Sequence, residues 1–147
     1  MISPTDAVGS AASDPDAAGI RCRNENRRAI AEMQARRFGN ASTFFNEAAL
    51  DCLAAGTDRE YLDNVHNAAI ADAEGAMESG WGAEQRGDLA TANADYLRGI
   101  QAARTAGATD LANKLAGYND HLAVRGGANV KPTNTICSNI NGQTICR

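Results

Sequence analysis

Aromatic residues are scarce in this chain: three Phe, three Tyr and one Trp make up 5% of its 147 residues, although hydrophobic residues reach 44%. Alanine therefore carries much of the apolar fraction, and alanine is the best helix former, with faces that let helices pack closely. Positive charge is also in deficit. The net charge of −4 and a pI near 5.1 argue against a general nucleic-acid binder. No apolar run is long enough to span a bilayer. Gly-x-Ser-x-Gly is absent, and no glycine-rich phosphate loop precedes a helix, so no nucleophile or nucleotide motif is present. Cys-x-x-Cys is absent too, and the two histidines, His66 and His121, lie far in sequence from any cysteine, which disfavours a zinc site. Of the carboxylates Asp72, Glu74 and Glu78, Asp72 and Glu78 are six residues apart, which splits them around a helix. They read as a solvated surface, with no metal, cofactor or catalytic role expected.

The four cysteines are the first positive signal. TNTICSNINGQTICR at 133–147 places Cys137 and Cys146 symmetrically about Asn141-Gly142. Asn-Gly favours a type I′ hairpin turn, and the Thr-Ile flanks suit a pleated ribbon. Counting outward from the turn makes 137 and 146 a non-hydrogen-bonded pair, whose Cα atoms lie roughly 4.5 Å apart, within disulfide range. An isolated hairpin is marginal in water and needs such a staple. With Cys137–Cys146 paired, Cys22 and Cys52 pair by elimination. Paired cysteines point to an oxidising compartment, periplasmic or extracellular. The opening MISPTDAVGSAASDPDAAG has neither the basic n-region nor the apolar h-region of a signal peptide. The expectation is a mature chain with an added initiator Met, or release by lysis or a dedicated route.

Periodicity predicts an all-α body of about five antiparallel helices, as helical hairpins or a bundle, over 17–125. A flexible segment (1–16) precedes it, and a linker (126–133) and the disulfide-closed hairpin (134–147) follow. The first helix is expected from Ala17 to Phe38, with Gly39 at its left-handed end and a turn near residue 40. The second, capped by Asn40 or Ser42, carries Phe45 and Cys52 and stops at Gly56. Thr57 and Glu60 match a capping box for the third. Gly80-Trp81-Gly82 is expected to bend or end that helix, although its pattern resumes to Arg86. Gly87-Asp88 starts a fourth, which ends at Gly107, and Thr109 or Asp110 starts a fifth. An internal echo with a period of roughly fifty residues fits helical-hairpin repeats.

Around Gly87 the chain carries Gly87, Asp88, Leu89, Ala92, Tyr96 and Gly99, with Gly80 seven residues upstream. This resembles the second half of a tetratricopeptide repeat over about residues 76–110. The family's tryptophan-type position falls on Ala76 and its next large position on Ser79. The resemblance implies stacked helical hairpins and a protein-interaction scaffold without catalysis. Small residues at 80, 92 and 99 would let helices approach while Tyr96 fills the gap. An ordinary Ala-rich antiparallel bundle is the other reading.

The first helix is rich in arginine: Arg21, Arg23, Arg27, Arg28, Arg36 and Arg37, followed by acidic segments. One reading is complementarity within the molecule; the other is contact with an anionic surface. Trp81, between two glycines, is the leading exposed contact residue, with Tyr61, Tyr96, Arg27 and Arg28 completing a candidate interaction surface. The functional expectation is a small exported bacterial or phage-type module that binds another protein. The alternative is a structural subunit of a filament or virion, whose N-terminal segment and hairpin reach neighbouring copies.

Overall fold

The structure, a computed structural model, describes residues 14–126 and the backbone of 137–140 and 143–146. The described residues form five helices: α1 (Pro15–Gln34), α2 (Phe38–Ala54), α3 (Asp58–Gln85), α4 (Leu89–Thr105) and α5 (Thr109–Gly126). The body starts earlier than Ala17, because Asp14 caps α1 by accepting the Asp16 N–H at 3.0 Å and Pro15 occupies the first helical position.

All four interhelical turns have one construction. The residue three past each helix end donates its N–H five residues back: Arg37 to Glu32, Thr57 to Cys52, Asp88 to Ala83 and Ala108 to Ala103, at 2.8–3.0 Å. The residue before it is left-handed in every case, namely Arg36 (φ 59°), Gly56, Gly87 and Gly107. The first turn therefore sits at Arg36, three residues before the expected Gly39, and Phe38 and Gly39 open α2 instead. The driving force is Phe38, which is buried and reaches Gly75 of α3.

The capping box at α3 does not form. Thr57 belongs to the preceding turn, and its Oγ1 donates back to the Cys52 carbonyl at 3.0 Å, leaving it without a side-chain cap bond. Asp88, in contrast, caps α4 by accepting the Thr91 N–H at 3.1 Å. The Thr91 hydroxyl, together with that N–H, holds the Asp88 carboxyl below the usual carboxylate range.

Three-residue turns reverse the chain, and extensive packing runs between consecutive helices. Two cores result. Ala29, Ala41, Phe45, Ala68 and Ala71 join α1, α2 and the first half of α3. Ala73, Ala83, Ala92, Tyr96, Ile100, Leu115 and Leu122 join the second half of α3 with α4 and α5. A shift of 51 positions carries one unit onto the other. It maps Arg36 and Gly56 onto Gly87 and Gly107, and the buried Ala29, Ala41, Phe45 and Cys52 onto Gly80, Ala92, Tyr96 and Ala103. The second core is larger-boned, and each buried Leu there contributes ~1.5–3 kcal/mol.

α3 runs unbroken through Gly80-Trp81-Gly82 rather than bending there. Gly80 is required: a Cβ would sit 2.6 Å from the ring of Tyr96. Gly99 likewise fits against Ala76, Leu115 and the Ala73 carbonyl.

Cys22 and Cys52 form a disulfide between α1 and α2, with Cα atoms 5.0 Å apart. Measured from Arg36 rather than residue 40, the two arms of this hairpin are nearly equal, which explains the bond. Two further segments, β1 (Cys137–Ile140) and β2 (Gln143–Cys146), run antiparallel with Cys137 opposite Cys146. Their turn, 141–142, and all side chains there lie outside the described residues, as do the segment 1–13 and most of the expected linker. The disulfide-closed hairpin therefore belongs to the reading proposed below.

Candidate functional site

The unbroken course of α3 decides where Trp81 points. Gly80 faces inward on Tyr96, so its neighbour Trp81 projects outward and is 57% exposed. It borders a hollow of about 510 Å³ with Met77 and Glu78 of α3, Lys114 and Tyr118 of α5, and Arg36 from the first turn. Tyr118, 39% exposed, lies over Tyr96 with ring centroids 5.8 Å apart. One aromatic of the stacked pair is thus buried and the other faces the groove.

A polar network holds the walls. The Tyr96 hydroxyl donates to Glu84 Oε2 at 3.0 Å, and Arg125 Nη1 donates to Glu84 Oε1 at 2.8 Å, tying α4 and α5 to α3. Burial, reinforced by the Glu84 carboxylate, pushes the Tyr96 phenol well above its ordinary value. Ser79 donates to Asp95 at 2.7 Å across the α3–α4 contact. Across the mouth, Arg36 Nη2 meets Glu78 Oε2 at 3.1 Å.

The expected surface residues are dispersed. Tyr96 is not a surface residue: it is 0% exposed, because its place in the α4 period, with Ala92, Ile100 and Ala103, faces the core. Tyr61 is half-buried and does not line the Trp81 groove. Arg28 pairs with Glu25 at 3.3 Å and lies 4.3 Å over the Phe44 ring. Arg27 and Arg23 line a separate hollow that also holds Glu60, Asp63 and the bonded pair Asn26–Asn64. Arg21, Arg36 and Arg37 pair with Asp51, Glu78 and Glu32. The arginines are thus largely matched within the molecule. Lys114, Tyr118 and Met77 are not expected at a site from the sequence, and Arg36 only as part of the arginine-rich first helix. They come from three separate elements, and Tyr118 reads in the α5 period as a core position.

Among the described residues, no group of three or more His, Cys, Asp or Glu could hold a metal ion. His66 and His121 are exposed, and Glu84 and Asp95 are each bonded to neighbours. No described helix is long and apolar enough to cross a membrane. Compared with known proteins, the chain matches no family model, no curated protein and no solved structure.

Proposed function

We propose that this chain is a protein-interaction module without catalysis, working in an oxidising extracellular or periplasmic compartment and binding its partner through the Trp81 groove. The observation that carries this reading is the placement of the sole tryptophan: it is exposed beside Tyr118 and Met77, next to Gly80, which packs on Tyr96. Exposed Trp and Tyr flanked by charge are the usual anchors of interfaces. The tandem helical units support a repeat scaffold of the tetratricopeptide kind, and the Cys22–Cys52 bond supports the compartment. A second bond, Cys137–Cys146, would close the C-terminal hairpin.

Affinity capture from the native source with the oxidised protein tests the reading. Trp81→Ala should reduce capture of a specific partner by about thirtyfold, as expected for a ~2 kcal/mol anchor. Leu50→Ala, at a site 68% exposed on α2 and away from the groove, should leave capture intact. Equal losses in both variants, or none in either, would remove the groove from the argument. Alkylation without reductant, followed by intact mass, should find no free thiol.

A further inference from the structure

We infer that the Trp81 groove takes an acidic peptide segment of a partner protein that carries one aromatic or aliphatic anchor residue. The inference rests on the interaction reading above and adds the chemistry of the partner.

The groove does not end at Trp81. Arg36 and Glu78 also line a second hollow of about 390 Å³, bordered by Gly75, Gly82 and Arg86, so the two adjoin along α3. One end of the combined trough is apolar, formed by Trp81, Tyr118 and Met77. The rest is cationic: Arg36, Arg86 and Lys114 face a single carboxylate, Glu78, which Arg36 already holds. Arg86 and Lys114 have no ion pair among the described residues. Asp88, which interacts electrostatically with Arg86, is engaged as the α4 cap. This local excess of positive charge lies on a chain of net charge −4. The Arg23/Arg27 hollow does not share it, because Glu60 and Asp63 line its opposite wall.

Two backbone features fit a docked chain. Gly82 has no packing requirement, since a Cβ there would meet only Arg86 Nη1 at 3.5 Å. A glycine inside a helix costs ~1 kcal/mol relative to alanine, and it leaves α3 open to close approach at the trough floor. Arg36 is the one non-glycine residue with left-handed backbone among the described residues, where the three equivalent turns use glycine. Non-glycine residues held there cost ~1–2 kcal/mol and cluster at functional sites. The anchor of the peptide would rest on Trp81 and Tyr118, and its carboxylates would meet Lys114, Arg86 and Arg36, with Arg36 exchanging Glu78 for the ligand.

Because Trp81 is the sole tryptophan, its fluorescence in the full oxidised chain reads the groove directly. The probes are a Glu/Asp-rich synthetic peptide with a central Phe, the same peptide with Lys replacing Glu and Asp, the acidic peptide with Ser replacing Phe, and heparin. The acidic Phe peptide should change Trp81 emission saturably, and Lys114→Glu/Arg86→Glu should weaken it by roughly tenfold or more. Circular dichroism checks that the variant is folded. Equal binding of the Lys peptide, heparin binding as tightly as the acidic Phe peptide, no saturable response, or no effect of charge reversal would each overturn the inference. The interaction reading fails separately, through insensitivity of partner capture to Trp81→Ala. Light scattering across the titration detects self-association; an emission change that follows dimer formation rather than peptide would assign the groove to a second copy and overturn the proposal.

Discussion

Gly80 and Gly82 lie two residues apart on one helix, yet substitution by alanine should move stability in opposite directions. At Gly82 the new methyl meets nothing closer than 3.5 Å, so the gain in helix propensity, ~1 kcal/mol, is realised almost in full. At Gly80 the methyl would lie 2.6 and 2.7 Å from Tyr96 Cε1 and Cδ1. Tyr96 is fully buried and its hydroxyl is tied to Glu84, so the ring has nowhere to go. Overpacking of this kind costs ~1–3 kcal/mol and more where the neighbour is pinned, leaving a net loss of ~1–2 kcal/mol after the propensity gain. For a chain of this length that separates the two variants by ~4–10 °C in Tm. The first unit suggests the rescue. Its equivalent residues are Ala29 and Phe45, packed in one cluster, so an alanine is compatible with a ring that lacks the hydroxyl tether. Gly80→Ala should therefore cost ~1 kcal/mol less in a Tyr96→Phe background than alone. Urea unfolding followed by circular dichroism measures all four states of the cycle. The reasoning fails if Gly80→Ala is as stabilising as Gly82→Ala, or if the two substitutions at 80 and 96 are additive.

Reduction of Cys22–Cys52, which closes a loop of sequence separation 30, should cost ~3–4 kcal/mol. Hydrogen exchange should then rise mainly across α1, which has only one extensive neighbour; a uniform rise would contradict that. Because the Tyr96 phenol is raised in the folded state, its contribution to stability is complete below the ordinary phenol value of roughly 10 and is lost as pH climbs through the folded value. Unfolding free energy should thus fall as pH rises above about 10, and Tyr96→Phe should flatten that decline. Glu60→Ala should change stability by no more than ~0.5 kcal/mol, since Glu60 closes no capping box; a loss of ~1 kcal/mol would restore the box.

The helical order and three of the four turns are legible in the sequence because glycine marks a left-handed position at 56, 87 and 107. The fourth is not, because arginine occupies that position, and the later Gly39 attracts the assignment. Tyr96 shows the same limit from another side. Its spacing from Ala92 and Ile100 marks it as core, whereas aromatic identity alone suggests a surface contact. The groove could not be read at all from single-helix periods. It is assembled by Trp81, Tyr118 and Arg36, which come from α3, α5 and the first turn. Only the register between helices, set by Gly80 against Tyr96 and Gly99 against Ala76, brings them together.

The two cores share α3, whose 28 residues close the first unit and open the second. In a one-dimensional array, cooperativity is the coupling between neighbouring units. Here that coupling is a continuous covalent rod rather than a surface that can slip, so melting either core must unwind part of the other's wall. The same arrangement makes the architecture extensible: each further block of one long and one short helix would enter at the same register, leaving the two end helices unchanged.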